Sequence, residues 1–98
     1  MSTDKKKPIP SPATTTFSLS PDFRSLYSNN ATCEVSVFDV RITFGESSKS
    51  GEESMNVDQR VAVVMSPQHA KVFANLLLNN IQAYEQKIGT IALPPPPA

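Results

Sequence analysis

The chain has 98 residues with nine basic and nine acidic side chains, so it carries no net charge. Its length predicts a single domain, and the charge balance argues against nucleic acid or an anionic membrane as a partner. No stretch approaches the ~18–20 consecutive apolar residues of a membrane span. The start of the chain lacks the apolar region of a signal peptide, and Cys33 has no second cysteine for an intrachain disulfide. We therefore expect a cytoplasmic protein.

Residues 1–24 are rich in Pro, Ser and Thr and contain few large apolar side chains, which predicts a disordered N-terminal tail. Within it, Ser20-Pro21-Asp22 has the chemistry of a helix start, so one alternative is a short helix that continues to Leu26. The other alternative is an extended arm laid over the core. Residues 92–98 are predicted to form a proline-rich tail in the polyproline II conformation. The folded domain is therefore expected to span residues 25–91.

Residues 27–44 alternate between apolar and polar side chains, as is typical of β-strands. The alternation shifts by one position at residues 36–39, which predicts either a bulge or a tight turn there. The ribbon would then consist of two long strands, the first one bulged, or of three short strands. The side chains of Ser36 and Asp39 are suited to satisfy backbone groups at the break.

Residues 45–56 are polar and rich in Ser, which predicts a mobile hairpin loop. Strand character resumes at Val57 and continues to Met65. Four of its apolar residues are predicted to share one face of this strand: Val57, Val61, Val63 and Met65. Ala62 and Val64 make the other face apolar as well, which predicts that both faces are covered near the end of the strand.

A long amphipathic helix is predicted from Ser66-Pro67 to about Ile88. Ser66 suits the N-cap and Pro67 the first helical position, while Gly89 suits the left-handed position after a helix. Further apolar residues lie on other sides of this helix. The main apolar row, which we call the helix stripe, repeats at i, i+4, i+8, i+11 and i+15: Phe73, Leu77, Ile81, Tyr84 and Ile88.

The fold class that follows is α+β, an antiparallel β-ribbon followed by one long helix. So short a folded part rarely stabilises itself around one core, and an isolated two-stranded ribbon is marginal. A long strand also leaves an unpaired edge, which proteins usually cover. These features, with the surplus apolar surface of the helix, predict a homo-oligomer, most simply a two-fold symmetric dimer.

Several short motifs occur in a fixed order along the folded part: Tyr27-Ser28-Asn29, Ser36-x-x-Asp39, Phe44-Gly45, Met65-Ser66-Pro67-Gln68-His69-Ala70-Lys71, Asn80-Ile81-x-x-Tyr84-Glu85 and Ile88-Gly89. Their order and spacing resemble those of a small bacterial and archaeal family that is known only as a domain of unknown function. The resemblance covers residues 25–91. It implies a strand–strand–helix module in a small cytoplasmic protein, and it implies no activity.

No catalytic, cofactor-binding or metal-binding residues are predicted. His69 is the only histidine and Cys33 the only cysteine, so the spacings typical of zinc sites do not occur. None of the three glycines belongs to a phosphate-binding loop. A Ser-His mechanism on Ser66 and His69 is disfavoured because the Ser66 hydroxyl is needed for the helix cap.

Two groups of residues are candidates for binding a protein partner. Gln68, His69 and Lys71 form a polar patch at the start of the helix, with the alternative that His69 only caps or packs in the first turn. Tyr27 and Asn29 lie at the start of the predicted first strand and could present a ligand-facing tip. The alternative for this pair is structural, with Asn29 supplying hydrogen bonds to the backbone.

The sequence therefore predicts a non-enzymatic protein-interaction or structural module that acts as a homo-oligomer, as a small subunit or adaptor of a larger assembly. The expected partners are a second copy and another protein, without nucleic acid, membrane or cofactor. A second hypothesis is a dimeric DNA-binding transcriptional regulator built from the ribbon and helix, against which the neutral charge argues. A third is a small enzyme that uses His69.

Overall fold

The computed structural model describes residues 14–94 of the chain. The predicted tail segments 1–13 and 95–98 lie outside the described residues. The elements are three β-strands and one α-helix: β1 (Asn30–Val35), β2 (Val40–Lys49), β3 (Met55–Met65) and α1 (Pro67–Lys87). The three strands form one antiparallel sheet in the order β1-β2-β3, which confirms the α+β class.

The pattern shift at residues 36–39 is a hairpin turn between β1 and β2. The Ser36 N–H donates to the Asp39 carbonyl at 2.9 Å. The Ser36 hydroxyl accepts from the N–H groups of Phe38 and Asp39, both at 3.1 Å. A single serine therefore satisfies the backbone donors that the turn frees, and of the two predicted alternatives the one with three strands is correct.

The prediction of a loop at residues 45–56 is wrong in its extent. The sheet continues through Lys49 and resumes at Met55, so only residues 50–54 lie between β2 and β3. The Ser50 N–H donates to the Ser54 carbonyl at 3.1 Å and closes this connection. Strand pairing uses backbone groups, so a run of polar side chains is compatible with a ladder that faces solvent.

A β-bulge interrupts the pairing of β2 with β3. Phe44 pairs with Val61, but Gly45 pairs with Gln59, so Arg60 is the extra residue on β3. A one-residue insertion exchanges the faces of the strand beyond it. Val57 therefore lies on the opposite face from Val61, and the prediction that it shares a face with Val61, Val63 and Met65 is wrong.

Between the first hairpin turn and the bulge, the register gives the sheet one wholly apolar side, since partners in an antiparallel pair point to the same face. The other side is mixed and includes the cross-strand pair of Glu34 with Arg41. Val64 on that side is 55% exposed, so residues 14–94 do not provide the predicted cover of both faces. Nine residues form what we call the apolar sheet face: Ala31, Cys33, Val35, Val40, Ile42, Phe44, Val61, Val63 and Met65.

The caps of α1 are as predicted. Ser66 is the N-cap, with extended backbone, and its hydroxyl accepts from the His69 N–H at 3.1 Å. Ile88 is the C-cap, and Gly89 has φ of +150°, a conformation that favours glycine. Beyond it, the Ile91 N–H donates to the Glu85 carboxylate at 2.9 Å, which ties the chain back to the last turn.

The described part of the chain has almost no interior. Val40, at 8% exposure, and Gly45 are the only buried residues between 14 and 94, and no residue of α1 is buried. Extensive contacts between elements of this segment join only neighbouring strands. The helix is therefore well formed and capped but does not pack against the sheet to form a core.

The residues that precede β1 form neither of the predicted structures. A turn lies at Pro21-Asp22, where the Phe23 N–H donates to the Ser20 carbonyl at 2.9 Å, and no helix forms between residues 20 and 26. The side chains of Phe17, Leu19 and Phe23 are exposed, so this segment does not cover a core either.

Candidate functional site

Asn29 extends the sheet by side-chain hydrogen bonds. The Ser47 N–H donates to the Asn29 side-chain carbonyl at 2.7 Å, and the Asn29 amide donates to the Ser47 carbonyl at 3.4 Å. The neighbouring Ser28 hydroxyl donates to the Gly45 carbonyl at 3.0 Å. An amide that pairs with a backbone in both directions imitates one further step of a β-ladder. These bonds favour the structural interpretation of Asn29.

Gly45 is fixed by the close approach of β3 at the bulge. A Cβ atom at this position would lie 2.6 Å from the Asp58 carbonyl oxygen and 3.0 Å from the Gln59 Cα. Because both neighbours are backbone atoms of a paired strand, neither can move without disturbing the ladder. The glycine of the Phe44-Gly45 motif therefore has a structural explanation.

Gln68, His69 and Lys71 lie in the first turns of α1, and all three are exposed. The backbone of His69 takes part in the cap, while its ring adds no bond to that cap. In the described part of the chain, no carboxylate forms an ion pair with His69 or Lys71. The predicted polar patch is therefore an accessible surface at the helix start.

The two predicted groups of partner-binding residues are not brought together. Asn29 is bonded beside Gly45, whereas the start of α1 follows Met65, which pairs with Val40. These positions lie five residues apart on β2, a distance of about 16 Å along the strand. Tyr27 and Asn29 consequently do not belong to the same site as the patch at the helix start.

Tyr27 lies instead in an open groove between the residues before β1 and the sheet. Its apolar lining comes from Leu26 and Tyr27 on one side and from Phe44, Val61 and Val63 of the apolar sheet face on the other. The groove thus exposes part of the sheet face rather than enclosing a polar site.

Charged residues also line this groove. Arg60, the bulged residue, lies 3.2 Å from the Glu46 carboxylate and 3.7 Å from that of Asp58. A hydrogen bond from the Ser20 hydroxyl lowers the pKa of Asp22. The positive charge of Arg60 is thus offset by two carboxylates, and the other charged lining residues, Asp22 and Arg24, have opposite signs, so the groove has no strong field of one sign.

Sequence reasoning missed the exposed apolar tip of the first hairpin. Val37 and Phe38 occupy the turn, and their exposed fractions are 88% and 86%. Of the two alternatives for residues 36–39, a bulge would keep these side chains in the sheet, whereas the tight turn places them beyond it. The Ser36 side chain was expected to satisfy backbone groups in either case, so it did not separate the two alternatives.

Residues 14–94 lack two features that would point to a particular chemistry or location. No group of three or more His, Cys, Asp and Glu side chains lies close enough together to hold a metal ion. The helix of this segment does not have the apolar length that crossing a membrane requires.

Comparison with known proteins adds a family and no activity. None of the curated proteins and none of the solved structures matches the chain. A family model described as "Protein of unknown function (DUF3467)" matches residues 1–93, a longer span than the range 25–91 on which the motif resemblance rests. Because this match covers nearly the whole sequence, the chain belongs to the DUF3467 family.

Proposed function

We propose that this chain is a non-enzymatic protein-interaction module that acts as a homo-oligomer, most simply a dimer, and serves as a small subunit or adaptor of a larger assembly. The observation that supports the proposal is the lack of an interior in residues 14–94, where Val40 is the one buried hydrophobic residue. Folded domains are held together mainly by apolar burial. A chain that forms regular strands and a capped helix without such burial needs a second surface.

The exposed apolar residues are too many and too large for an ordinary monomer surface. On the helix they include Leu77 at 48% exposure and Ile88 at 70%, and on the sheet Val35 at 73%. Scattered apolar residues are normal on a surface, but contiguous patches of this kind mark interaction sites. Complete burial of one such side chain contributes about 1.5–3 kcal/mol, so covering several of them offsets an association cost of about 4–15 kcal/mol.

The DNA-binding alternative receives less support from the same residues. Arg41 lies 3.9 Å from the Glu34 carboxylate, and Arg60 faces two carboxylates. Guanidinium groups that are already paired release fewer counterions on a phosphate backbone, which weakens non-specific attraction to DNA. A gel shift with duplex DNA at low salt tests this alternative, and a salt-dependent shift would favour it over the interaction module.

The proposal is tested by the molar mass of the full chain in solution. Size-exclusion chromatography with light scattering should give about 21 kDa for a dimer, twice the 10.7 kDa of one chain. The measurement should be repeated over a dilution series from tens of micromolar downward, because mass action favours the oligomer at high concentration. A mass of one chain throughout, combined with a cooperative unfolding transition, would contradict the proposal.

A further inference from the structure

Within residues 14–94, two apolar surfaces remain largely uncovered, the apolar sheet face and the helix stripe. Of the sheet-face residues only Val40 is buried, and Cys33, Val61 and Val63 are exposed. We infer that the helix stripe of each copy lies on the apolar sheet face of the other. This inference rests on the proposed homo-oligomer. The partner is thus a second copy of this chain, and the contact is reciprocal.

The helix is too closely connected to β3 to cover its own sheet. β3 ends at Met65 and α1 begins at Pro67, so Ser66 alone joins them. Ser66 is extended, with φ of −67° and ψ of 156°. Reversals between strands and helices usually take about 2–6 residues. A single extended residue directs the helix away from the strand that precedes it, which leaves both surfaces available to another molecule.

The dimensions of the two surfaces agree. The apolar part of β2 runs from Val40 to Phe44, and with its neighbours it forms a patch about 15 Å long and three strands, or about 10 Å, wide. One helix is about 10 Å in diameter, and the stripe from Phe73 to Ile88 is about 22 Å long, of which the part from Phe73 to Tyr84, about 16 Å, matches the length of the patch. A single helix therefore covers most of one sheet face.

A second copy supplies both missing surfaces at once. Each chain would contribute nine sheet-face residues and five stripe residues, and with flanking side chains this approaches the ~20–30 residues per partner of a standard interface. Under two-fold symmetry the same contact occurs twice, so the sheet face and the helix stripe of both chains are covered in one step, while Val72, Leu76 and Leu78 stay outside the contact. An unrelated partner would have to present a matching helix and a matching sheet together.

Polar residues limit the contact on both components. On the sheet, the ion pairs of Arg60 with Glu46 and Asp58 lie next to the bulge, where the apolar face ends. On the helix, the side opposite the stripe carries amides, among them Asn79 and Gln82, which remain exposed. A helix docked through its stripe therefore turns these amides to solvent, together with Val72, Leu76 and Leu78, which lie outside the stripe.

The single cysteine of the chain allows the contact to be tested directly. Cys33 lies on the apolar sheet face, in the pair with Ile42. Unmodified chains are mixed, through dilution and reassembly, with size-tagged chains that carry Cys33→Ala and one new cysteine on the helix. Stripe positions are Phe73→Cys, Leu77→Cys, Ile81→Cys and Tyr84→Cys; matched controls on the opposite side are Asn79→Cys and Gln82→Cys. Mild oxidation then links cysteines whose Cα atoms approach within about 7 Å.

The expected product is a mixed disulfide between Cys33 and at least one stripe position, several-fold more abundant than with either control position. A tagged–tagged product through Leu77→Cys, without the mixed product, would show that helices pair with helices and overturn the inference. A disulfide between the Cys33 residues of two untagged chains, without the mixed product, would show that sheet faces meet and would also overturn the inference. In either case light scattering would still report a dimer, whereas a monomeric mass would remove the proposed function itself.

Discussion

The sheet and the helix of this chain are stabilised in different ways. The sheet is held by two backbone ladders, by the Ser36 turn and by the side-chain bonds of Asn29, none of which requires a hydrophobic core. The helix has good caps at both ends but no buried residue. Hydrogen bonds thus define the shape of both elements, while residues 14–94 of one chain lack the burial that would stabilise them against unfolding.

The stability of both elements must therefore come from packing that residues 14–94 of one chain do not provide. Isolated helices and small sheets are marginal in water, and amphipathic helices gain most of their stability from packing of the apolar side. Substitutions on the helix stripe should therefore report on the contact between chains. Substitutions at the bulge should report on the ladder within one chain, and substitutions at the cap on the helix alone.

The largest effect is expected from the helix stripe. Leu77→Ala should lower the free energy of unfolding by about 2–5 kcal/mol, because the leucine would be buried in the assembly and its loss leaves a cavity. The dimer should also dissociate at higher protein concentration. Chemical unfolding at several protein concentrations, together with light scattering, measures both.

Gln82→Ala is the matched control, since it lies on the opposite side of the same helix and should change stability by no more than about 0.5 kcal/mol. A loss for Leu77→Ala that is equally small would mean that Leu77 is as exposed in solution as in the single chain, where its exposure is 48%. In that case the stability of the helix would not depend on packing against another chain.

A smaller effect is expected at the bulge. Gly45→Ala would place a Cβ atom 2.6 Å from the Asp58 carbonyl oxygen, and relieving this clash should cost about 1–3 kcal/mol. Amide hydrogen exchange of β2 and β3 should accelerate next to the bulge. Ser48→Ala, on an exposed position of the same strand, should leave the exchange unchanged. Equal exchange rates in Gly45→Ala and the parent chain would mean that β3 can shift away without loss of pairing.

The elements with local signals were predictable from the sequence. The caps of α1 rest on Ser66, Pro67 and Gly89, whose chemistry depends on the nearest residues, and they are correct. The bulge at Arg60 was not predictable, because it follows from the register between β2 and β3 and has no mark in the sequence of β3 alone. For the same reason Val57 was assigned to the wrong face.

The difference between local and long-range signals also applies to the candidate site. The bonds of Asn29 to Ser47 and of Ser28 to Gly45 join residues 17 or 18 positions apart, so periodicity offers no signal for them. The polar residues at the helix start were identified correctly as exposed because helical geometry places them there. Long-range pairing, rather than local preference, is what the sequence alone leaves open.

The smallest effect is expected at the helix cap. Ser66→Ala removes the hydroxyl that accepts from the His69 N–H at 3.1 Å, and it should cost about 1 kcal/mol. Ser66→Asp keeps an acceptor at the same position and adds a negative charge near the positive end of the helix dipole, so it should retain most of the stability. Thermal unfolding followed by circular dichroism measures both variants at one protein concentration. Because the cap acts within one chain, Ser66→Ala should also leave the Cys33 crosslinking pattern unchanged. If it redistributed the crosslinks, the connection between β3 and α1, and not only the apolar surfaces, would determine how two copies meet.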